Sequence, residues 1–347
     1  MLTTLLSWSK EQHSHLPWRT DRSLYVTLVS EIMLQQTTVS TVVNHIDRFL
    51  KIYPDIKTLA ASNEDDVCIA WKGLGYYRRA RNLLNAAKEI QEKFAGIIPV
   101  DVETLKTIKG IGDYTANAIV GIGANKKALA VDANLERVIA RLYALETVKG
   151  PKLQKEIYQA FFAKEVLPEI KNGNARVINE ALMDLGRVIC QARKADCVIC
   201  PIKKDCQSFE KSLVHKIPNV EKKKVEKFDL DLLRVVVEQR GRVLGYVKSE
   251  KQWLRGQVEI PTFVIATEDK KLIQYPALKK KISKAKKDAL INFKTSITKY
   301  KIKNYILKLS KEEFENMGYD LSQYKFYLKN SEKSNFSTSS IKVFERL

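Results

Sequence analysis

No apolar run in the chain approaches the roughly 20 residues needed to cross a bilayer. The first stretch, MLTTLLSWSKEQHSH, has no apolar centre between a basic head and a cleavage site, so no signal peptide is expected. These two absences point to a cytoplasmic protein with no membrane partner. No internal repeat array is visible, which excludes a solenoid. Acidic residues are in deficit, 40 against 60 Lys and Arg, and the 347-residue chain carries a formal charge of +20. Such a field favours polyanions, with nucleic acid the first candidate. Cysteine is scarce as well, with five in all. Nothing else marks the chain as secreted, so a pair of disulfides is disfavoured.

Four of the five cysteines crowd into CQARKADCVICPIKKDC, at Cys190, Cys197, Cys200 and Cys206, with gaps of six, two and five residues. Thiolates packed this tightly suit one compact inorganic centre. A [4Fe–4S] cluster takes four of them. A tetrahedral zinc site does too, but the uneven spacing fits paired CxxC zinc patterns poorly. The fifth, Cys68, sits at an apolar helical position and is expected to be a buried small side chain.

At about 150 residues per domain the length predicts two domains. Residues 1 to 211 read as helical. Tyr25, Leu28, Val29, Ile32 and Met33 keep helical spacing, as do Leu135, Val138, Ile139 and Leu142. The polar, Lys-rich stretch 212–227 reads as a linker. Residues 228–347 read as α+β. LLRVVVEQRGRVLGYVK predicts two strands around Arg240-Gly241, and PTFVIATEDKKLIQY another pair. Ile297 to Leu309 alternates like one strand, and the tail from Thr338 reads as a closing helix.

Several motifs bear chemistry. LKTIKGIGDYTANAIV holds Gly110 and Gly112 between two helices, where a tight turn brings backbone N–H groups near a phosphate. A simple turn between helices is the plainer alternative. Asp132 directly precedes an amphipathic helix, where it suits an N-cap and also a carboxylate aimed at developing positive charge. Glu31 lies at the edge of an apolar helical stripe, and Gln35, Gln36 and Thr37 follow at a helix junction. Polar amides there suit base edges. GLGYYRRARNLL interleaves aromatics with Arg78, Arg79 and Arg81, which suits a wedge in a base stack with arginines on phosphates.

In this order, LPWR, SEIMLQQT, WKGLGYYRRARNL, IKGIGDYTANAI, VDANLERVIARL, NEALMDLGRVIC and the cysteine loop resemble the helix-hairpin-helix DNA glycosylases with a [4Fe–4S] cluster. Within these, the chain looks like the adenine DNA glycosylases of the MutY type. The resemblance covers residues 8 to about 210. It implies a mainly α N-terminal region, a six-helix helix-hairpin-helix domain with a cluster domain. The C-terminal region more weakly resembles a MutT-like (Nudix-like) domain. The Glu-rich metal-binding helix of nucleotide hydrolases is missing from it, so recognition rather than hydrolysis is implied.

The resemblance further implies base excision repair of duplex DNA bearing adenine opposite 8-oxoguanine or guanine, by a monomer, associated with the nucleoid in a bacterium. Glu31 matches the general acid and Asp132 the carboxylate that stabilises an oxocarbenium-like sugar. Tyr114 and Asn134 match groups that position them. Leu16, Trp18, Arg19 and Glu180 match the pocket for the extruded adenine. Gln36, Thr37, Leu74 and Tyr76 match the surroundings of 8-oxoguanine, with Tyr76 as the wedge. Arg193, Lys203 and Lys204 match a phosphate-facing set beside the cluster.

Tyr114 stands where the lyase branch carries a Lys nucleophile, and Tyr cannot form a Schiff base. A monofunctional glycosylase is therefore implied. An endonuclease III-like glycosylase/lyase for oxidised pyrimidines and a non-catalytic iron–sulfur DNA-binding protein are the alternatives. Three positions depart from the family. Ala133 replaces a Gly. Ser14 replaces an Arg near the adenine pocket. In the loop Ile297, Thr298 and Lys299, which aligns with a lesion-sensing Phe-Ser-His, Lys299 replaces the His.

Overall fold

The computed structural model describes residues 1–13, 15–221, 226–279, 282–329 and 334–347. The chain divides into two compact units, Met1–Lys222 and Lys223–Leu347. Among the described residues, no helix is long and apolar enough to cross a membrane.

The first unit is helical. Its elements are α1 (Leu2–His13), α2 (Pro17–Thr20), α3 (Leu24–Leu34), α4 (Val39–Ile52), α5 (Ile56–Ala60), α6 (Glu64–Ala70) and α7 (Arg78–Phe94). After these come α8 (Val102–Lys106), α9 (Asp113–Ala118), a π turn (Ile119–Gly123), α10 (Ala133–Leu142), α11 (Pro151–Phe162), α12 (Ala175–Val188) and α13 (Gln207–Glu210). Side-chain caps start many of them. Ser23, Thr38, Asn63, Asp101 and Asp132 each accept a backbone N–H from the first turn that would otherwise lack a partner.

Two apolar cores result. One gathers α3, α4 and α7 around Phe49 and Trp71. The other gathers α10, α11 and α12 with Leu5 of α1. Helix α3 is buried from Tyr25 to Met33 on all sides. Glu31 therefore does not sit at the edge of a stripe on a half-exposed helix, as its spacing predicted. It is a carboxyl in the interior.

The loop between α8 and α9 forms the helix-hairpin-helix turn. Gly110 has φ +99, and a Cβ there would stand 2.6 Å from the Asn82 carbonyl oxygen. Only glycine meets both conditions. Gly112 has φ −100, an ordinary extended value, and nothing lies within 4 Å of its absent side chain. The turn's conformation thus depends on Gly110, while Gly112 leaves a bare backbone at the surface.

Arg79 joins α3 to the GLGYY loop. One terminal nitrogen donates to the carbonyls of Ile32 (2.9 Å) and Met33 (2.6 Å). The other donates to Thr37 Oγ1 (2.9 Å), Leu74 O (3.0 Å) and Gly75 O (3.1 Å). The side chain is buried and stacks beside Trp71 and Tyr76. It therefore satisfies the carbonyls at the end of α3 and is not free to hold a phosphate, as the motif had predicted. Arg81 likewise is engaged, with Glu64 at 2.5 Å.

The stretch expected as a linker is partly built into this unit. Ile217 is buried in the second core, its carbonyl accepts from Arg141 Nε at 2.8 Å, and Asn219 bridges to Val148. Residues 222–225 of that stretch lie outside the described residues.

The second unit is α+β. Its strands are β1 (Phe228–Gln239), β2 (Arg242–Val247), β3 (Val258–Glu259), β4 (Thr262–Thr267), β5 (Ile291–Ile297), β6 (Tyr300–Leu309) and β7 (Lys325–Leu328). They run in the order β3-β2-β1-β6-β5, with β4 also on β1 and β7 on β2. β1 and β6 are parallel, and the other pairs are antiparallel. Helices α14 (Lys284–Asp288), α15 (Lys311–Asn316) and α16 (Thr338–Phe344) complete the unit. Phe314 of α15 and Val343 of α16 enter separate apolar clusters, so β1 is buried on both faces. Arg240 and Gly241 both have positive φ and close the β1–β2 hairpin.

Two strand expectations need correction. PTFVIATEDKKLIQY supplies only β4, because the segment after Thr267 crosses as a loop and returns to β4 as an isolated bridge of Ala277 to Val264, beyond that stretch. Ile297–Leu309 is not one strand. Ile297 ends β5, Thr298 turns with φ +48, and β6 starts at Tyr300.

Arg79→Ala is expected to lower the unfolding free energy by about 3 kcal/mol or more, since each stranded buried carbonyl costs about 1–3 kcal/mol. Arg79→Lys should recover less than half, lacking the planar fork. Urea denaturation followed by circular dichroism measures both. A loss under about 1 kcal/mol would show the five contacts to be dispensable.

Candidate active site

A cavity of about 1410 Å³ opens between the two cores of the first unit. Helices α2, α3, α4, α9, α10 and α12 all contribute to its wall, with Gln154 from α11. Leu16, Trp18, Arg19, Glu31, Gln35, Gln36, Thr37, Tyr114, Asp132, Asn134 and Glu180 all line it, so residues spread over 165 positions of sequence meet here. No lysine is among the lining residues.

Glu31 is 5% exposed. The Tyr114 hydroxyl donates to its Oε2. Burial pushes the Glu31 carboxyl up to about 7, chiefly because desolvation penalises the charged form. Tyr114's hydrogen bond and the charge of Arg19 pull the other way, while Asp132 and Glu180 add to the rise. A carboxyl poised near neutrality can both give and take a proton. Tyr114 itself is held well above its usual range by burial and by the negative charge beside it, so it stays a donor.

Asp132 caps α10. Its Oδ1 accepts from the backbone of Asn134 (3.0 Å) and Leu135 (2.7 Å), and its Oδ2 from Asn134 Nδ2 (2.9 Å). Burial raises this carboxyl, and the three N–H donors counter that rise. The result is a carboxylate fixed in place by its own helix start. Both roles weighed for Asp132 in the sequence are compatible with this one geometry.

Asn134 is held in turn. Arg137 Nη2 donates to Asn134 Oδ1 (2.9 Å) and Gly186 O (2.6 Å), and its Nε to Cys190 O (2.7 Å). A Cβ at Gly186 would stand 2.8 Å from Asn134 Cβ, so α10 and α12 approach closely only because that residue is glycine. One arginine therefore ties the capped carboxylate to the first cysteine of the loop.

On the opposite wall, Arg19 grips Asp184 with both terminal nitrogens, at 2.8 and 3.0 Å. Arg22 Nη1 donates to Glu180 Oε1 at 2.8 Å. Sequence reasoning missed Asp184, Gln154 and Arg187, which also line the cavity. The signal for Asp184 was present, since it lies four residues after Glu180 on one helix face.

Leu74 and Tyr76 are not among the lining residues. Leu74 is buried, and only its carbonyl serves the loop, so its side chain supports that loop from inside. Tyr76 beside it is 59% exposed with φ +46, standing out from the surface. Gln36 is also exposed, with φ +57, while Gln35 Nε2 reaches Thr115 Oγ1 at 3.3 Å. Ala133 occupies the first turn of α10 without distortion of the cap. Ser14 lies outside the described residues.

Cys190, Cys197, Cys200 and Cys206 line one apolar pocket with Val138, Leu142, Leu185 and Ile189, and none is in a disulfide. No group of three or more His, Cys, Asp or Glu that could hold a single metal ion occurs among the described residues. Arg141 Nη1 donates to Cys190 Sγ (3.3 Å) and Gln191 O (2.9 Å), placing positive charge beside the thiols. Arg193 and Lys204 are exposed on the same loop, whereas Lys203 is half-buried over the Phe209 ring. In the second unit, Lys299 Nζ donates to Asp269 Oδ2 at 3.0 Å and lies over the Phe228 ring. Thr298 is the turn residue before it.

Residues 29–164 match the HhH-GPD superfamily of base excision DNA repair proteins. The adenine DNA glycosylase of Buchnera aphidicola subsp. Acyrthosiphon pisum is 34% identical over 258 residues, spanning 74% of this chain and 69% of that protein. Human adenine DNA glycosylase is 33% identical over 217 residues, 60% of this chain but only 39% of the human protein. Among solved structures, a thermostable thymine-DNA glycosylase superposes with a TM-score of 0.53 at 28% identity, over 60% of this chain and 95% of that one. An endonuclease III–DNA complex gives 0.50 at 22% identity, over 61% of this chain and 94% of that one, a likeness of fold.

The raised Glu31 carboxyl has a consequence for stability. Its folded value lies above its unfolded one, so its contribution is full below about pH 4.5 and is lost as pH rises through about 7. Glu31→Gln should therefore gain stability over the parent protein at pH 8 by a few kcal/mol relative to the same comparison at pH 4. Paired urea titrations at the two pH values measure it. An unchanged difference between them would mean that Glu31 titrates as an exposed carboxylate.

Proposed function

The chain belongs to the adenine DNA glycosylases of the helix-hairpin-helix base excision repair superfamily, and from that premise we propose how its cavity removes adenine opposite 8-oxoguanine or guanine. A base inside a duplex is out of reach of an interior carboxyl, so adenine must be flipped into the cavity. Leu16 and Trp18 supply apolar and stacking walls, and Arg19 and Glu180 supply polar edges.

Glu31, still protonated near neutral pH, gives its proton to adenine N7. The ring then accepts the electron pair of the glycosidic bond and leaves. Positive charge develops on the sugar, and the Asp132 carboxylate stabilises it. Glu31, now ionised, takes a proton from the water that adds to the sugar carbon. Tyr114 holds Glu31 and Asn134 holds Asp132 throughout. The observation that carries this reading is the pair of buried carboxyls in unlike settings, one held by a single phenol and one fixed by three N–H donors, in one cavity. Tyr114 and a wall without lysine leave no amine to attack the sugar, which supports a monofunctional reaction.

For the DNA, exposed Tyr76 serves as the wedge, with Gln36 and Thr37 beside the opposing base. The bare turn at Gly110 and Gly112 meets a phosphate. The second unit serves as a MutT-like lesion reader, with Thr298 and Lys299 at the tip of the β5–β6 turn. The four cysteine thiols fit a [4Fe–4S] cluster. They line one pocket, are free, and have Arg141 to offset the cluster's negative charge. When bound, that cluster supplies a rigid, charged support for the loop, and every proton described above moves on the chain's own residues.

In a single-turnover assay on an adenine:8-oxoguanine duplex, followed by hot alkali, the wild type should cleave at the adenine. Glu31→Gln and Asp132→Asn should each lose at least about 100-fold. An undiminished Glu31→Gln would sink the mechanism. Borohydride should trap no covalent adduct, on this duplex or on one with thymine glycol. The purified protein should contain iron and acid-labile sulfide in equal amounts, and one tightly bound zinc in their place would overturn the cluster.

A further inference from the structure

We propose that Asp184 is a positioning residue that fixes the Arg19 guanidinium at the cavity wall and offsets its charge, so that Glu31 keeps its proton. This rests on the functional reading above and extends it to a residue that the reading does not use.

Arg19 sits on α2, which is four residues long, is preceded by Leu16 and opens on Pro17. So short a helix cannot by itself aim a long side chain. Aim comes from α12 instead. Glu180 and Asp184 are one turn apart on that helix and face α2 together. Asp184 takes the fork of Arg19, at 2.8 and 3.0 Å, and Ser9 Oγ holds the same carboxylate from α1 at 3.0 Å. Arg19 Nε stands 3.9 Å from Glu180 Oε1, which is already engaged by Arg22. The Arg19 side chain is 9% exposed and that of Asp184 is 4%, so the pair is little screened by water. Two-point gripping fixes the plane of the guanidinium, as no single ion pair does.

The charged and titratable groups facing Glu31 come from every side. They are Tyr114 on α9, Asp132 at the start of α10, Glu180 on α12 and Arg19 on α2. From α7, Arg79 spends its charge on the carbonyls after Glu31. The residues of α4 that line the cavity, Val39, Ser40, Val43 and Asn44, do not titrate. Arg187 of α12 and His15, just before α2, also line the cavity, but Arg19 is the cation whose charge bears on Glu31 and opposes its protonation. Its partner Asp184 decides how much of that positive charge Glu31 feels.

The sign of the effect follows. Asp184→Asn keeps the shape but removes the negative charge. Arg19 then favours ionised Glu31, and the basic limb of the pH–rate profile for adenine release moves to lower pH, by at least about half a unit. Asp184→Glu keeps the charge and should restore the limb. Arg19→Gln removes the cation itself and should move the limb to higher pH. Single-turnover rates across the pH range measure all three, beside a ¹³C titration of the Glu31 carboxyl assigned with Glu31→Gln. Opposite shifts in the Asp184→Asn and Arg19→Gln variants support the proposal. Unshifted limbs with merely lower rates would overturn it, leaving Asp184 a packing residue. If Asp184→Asn does not fold alone, the Arg19→Gln, Asp184→Asn double variant decides: its limb should lie below that of Arg19→Gln, and equal limbs would overturn the proposal. If the wild type releases no adenine, the functional reading fails, and the carboxyl titration still judges the coupling.

Discussion

Desolvation of one carboxyl organises the first unit. Glu31 lies on a helix buried on every side, where an ionised side chain is expensive. The structure answers with one neutral donor, Tyr114, rather than a direct cation. That choice matters chemically. A tight ion pair would drive the carboxyl down into the usual range and remove its proton at neutral pH. A phenol compensates in part and leaves the group titrating near neutrality. The cations of the site are kept at a distance and partly neutralised, as the Arg19–Asp184 grip shows. Asp132 meets the same cavity under other terms. Its helix start gives it backbone donors, so it is fixed where Glu31 is poised.

The chain's excess of positive charge is only partly a surface property. Arg79, Arg137, Arg141 and Arg234 are buried, and each spends its donors on interior acceptors. Arg79 closes the end of α3, Arg137 joins the α10 cap to the cysteine loop, and Arg141 reaches Cys190 and Ile217. Arg234 lies within β1, between Glu259 at 2.7 Å and Asn304 at 2.9 Å. Glu259 also takes Lys248 at 2.8 Å and is held to about 2 despite its burial. Guanidinium suits such work because its planar fork serves several carbonyls at once. Counting charge from composition therefore overstates what is left for DNA.

Much of the helical unit was legible beforehand. Helical periods located α3 and α10, because amphipathic spacing is a local property. Asp132 marked the start of α10 for the same reason. The second unit was less legible. β5 has weak alternation, and its place is set by pairing with β6, a long-range contact. The parallel pairing of β1 with β6 leaves no signature in either segment alone. The Arg within LLRVVV reads as a break in a buried strand until Glu259 is seen beside it.

The same division runs through the site. The sequence by itself determined which chemistries are on offer, because residue type sets what a side chain can donate, accept or attack. Glu31, Asp132 and a Tyr at position 114 were all identified there, as were four closely spaced cysteines. Only the tertiary structure decided their settings. Burial of Glu31, the two-point hold on Arg19 by Asp184, and the diversion of Arg79 and Leu74 to internal support arise between segments far apart in the chain. Protonation and aim depend on what surrounds a group in space, and a linear string carries that only where neighbours in space are also neighbours in sequence.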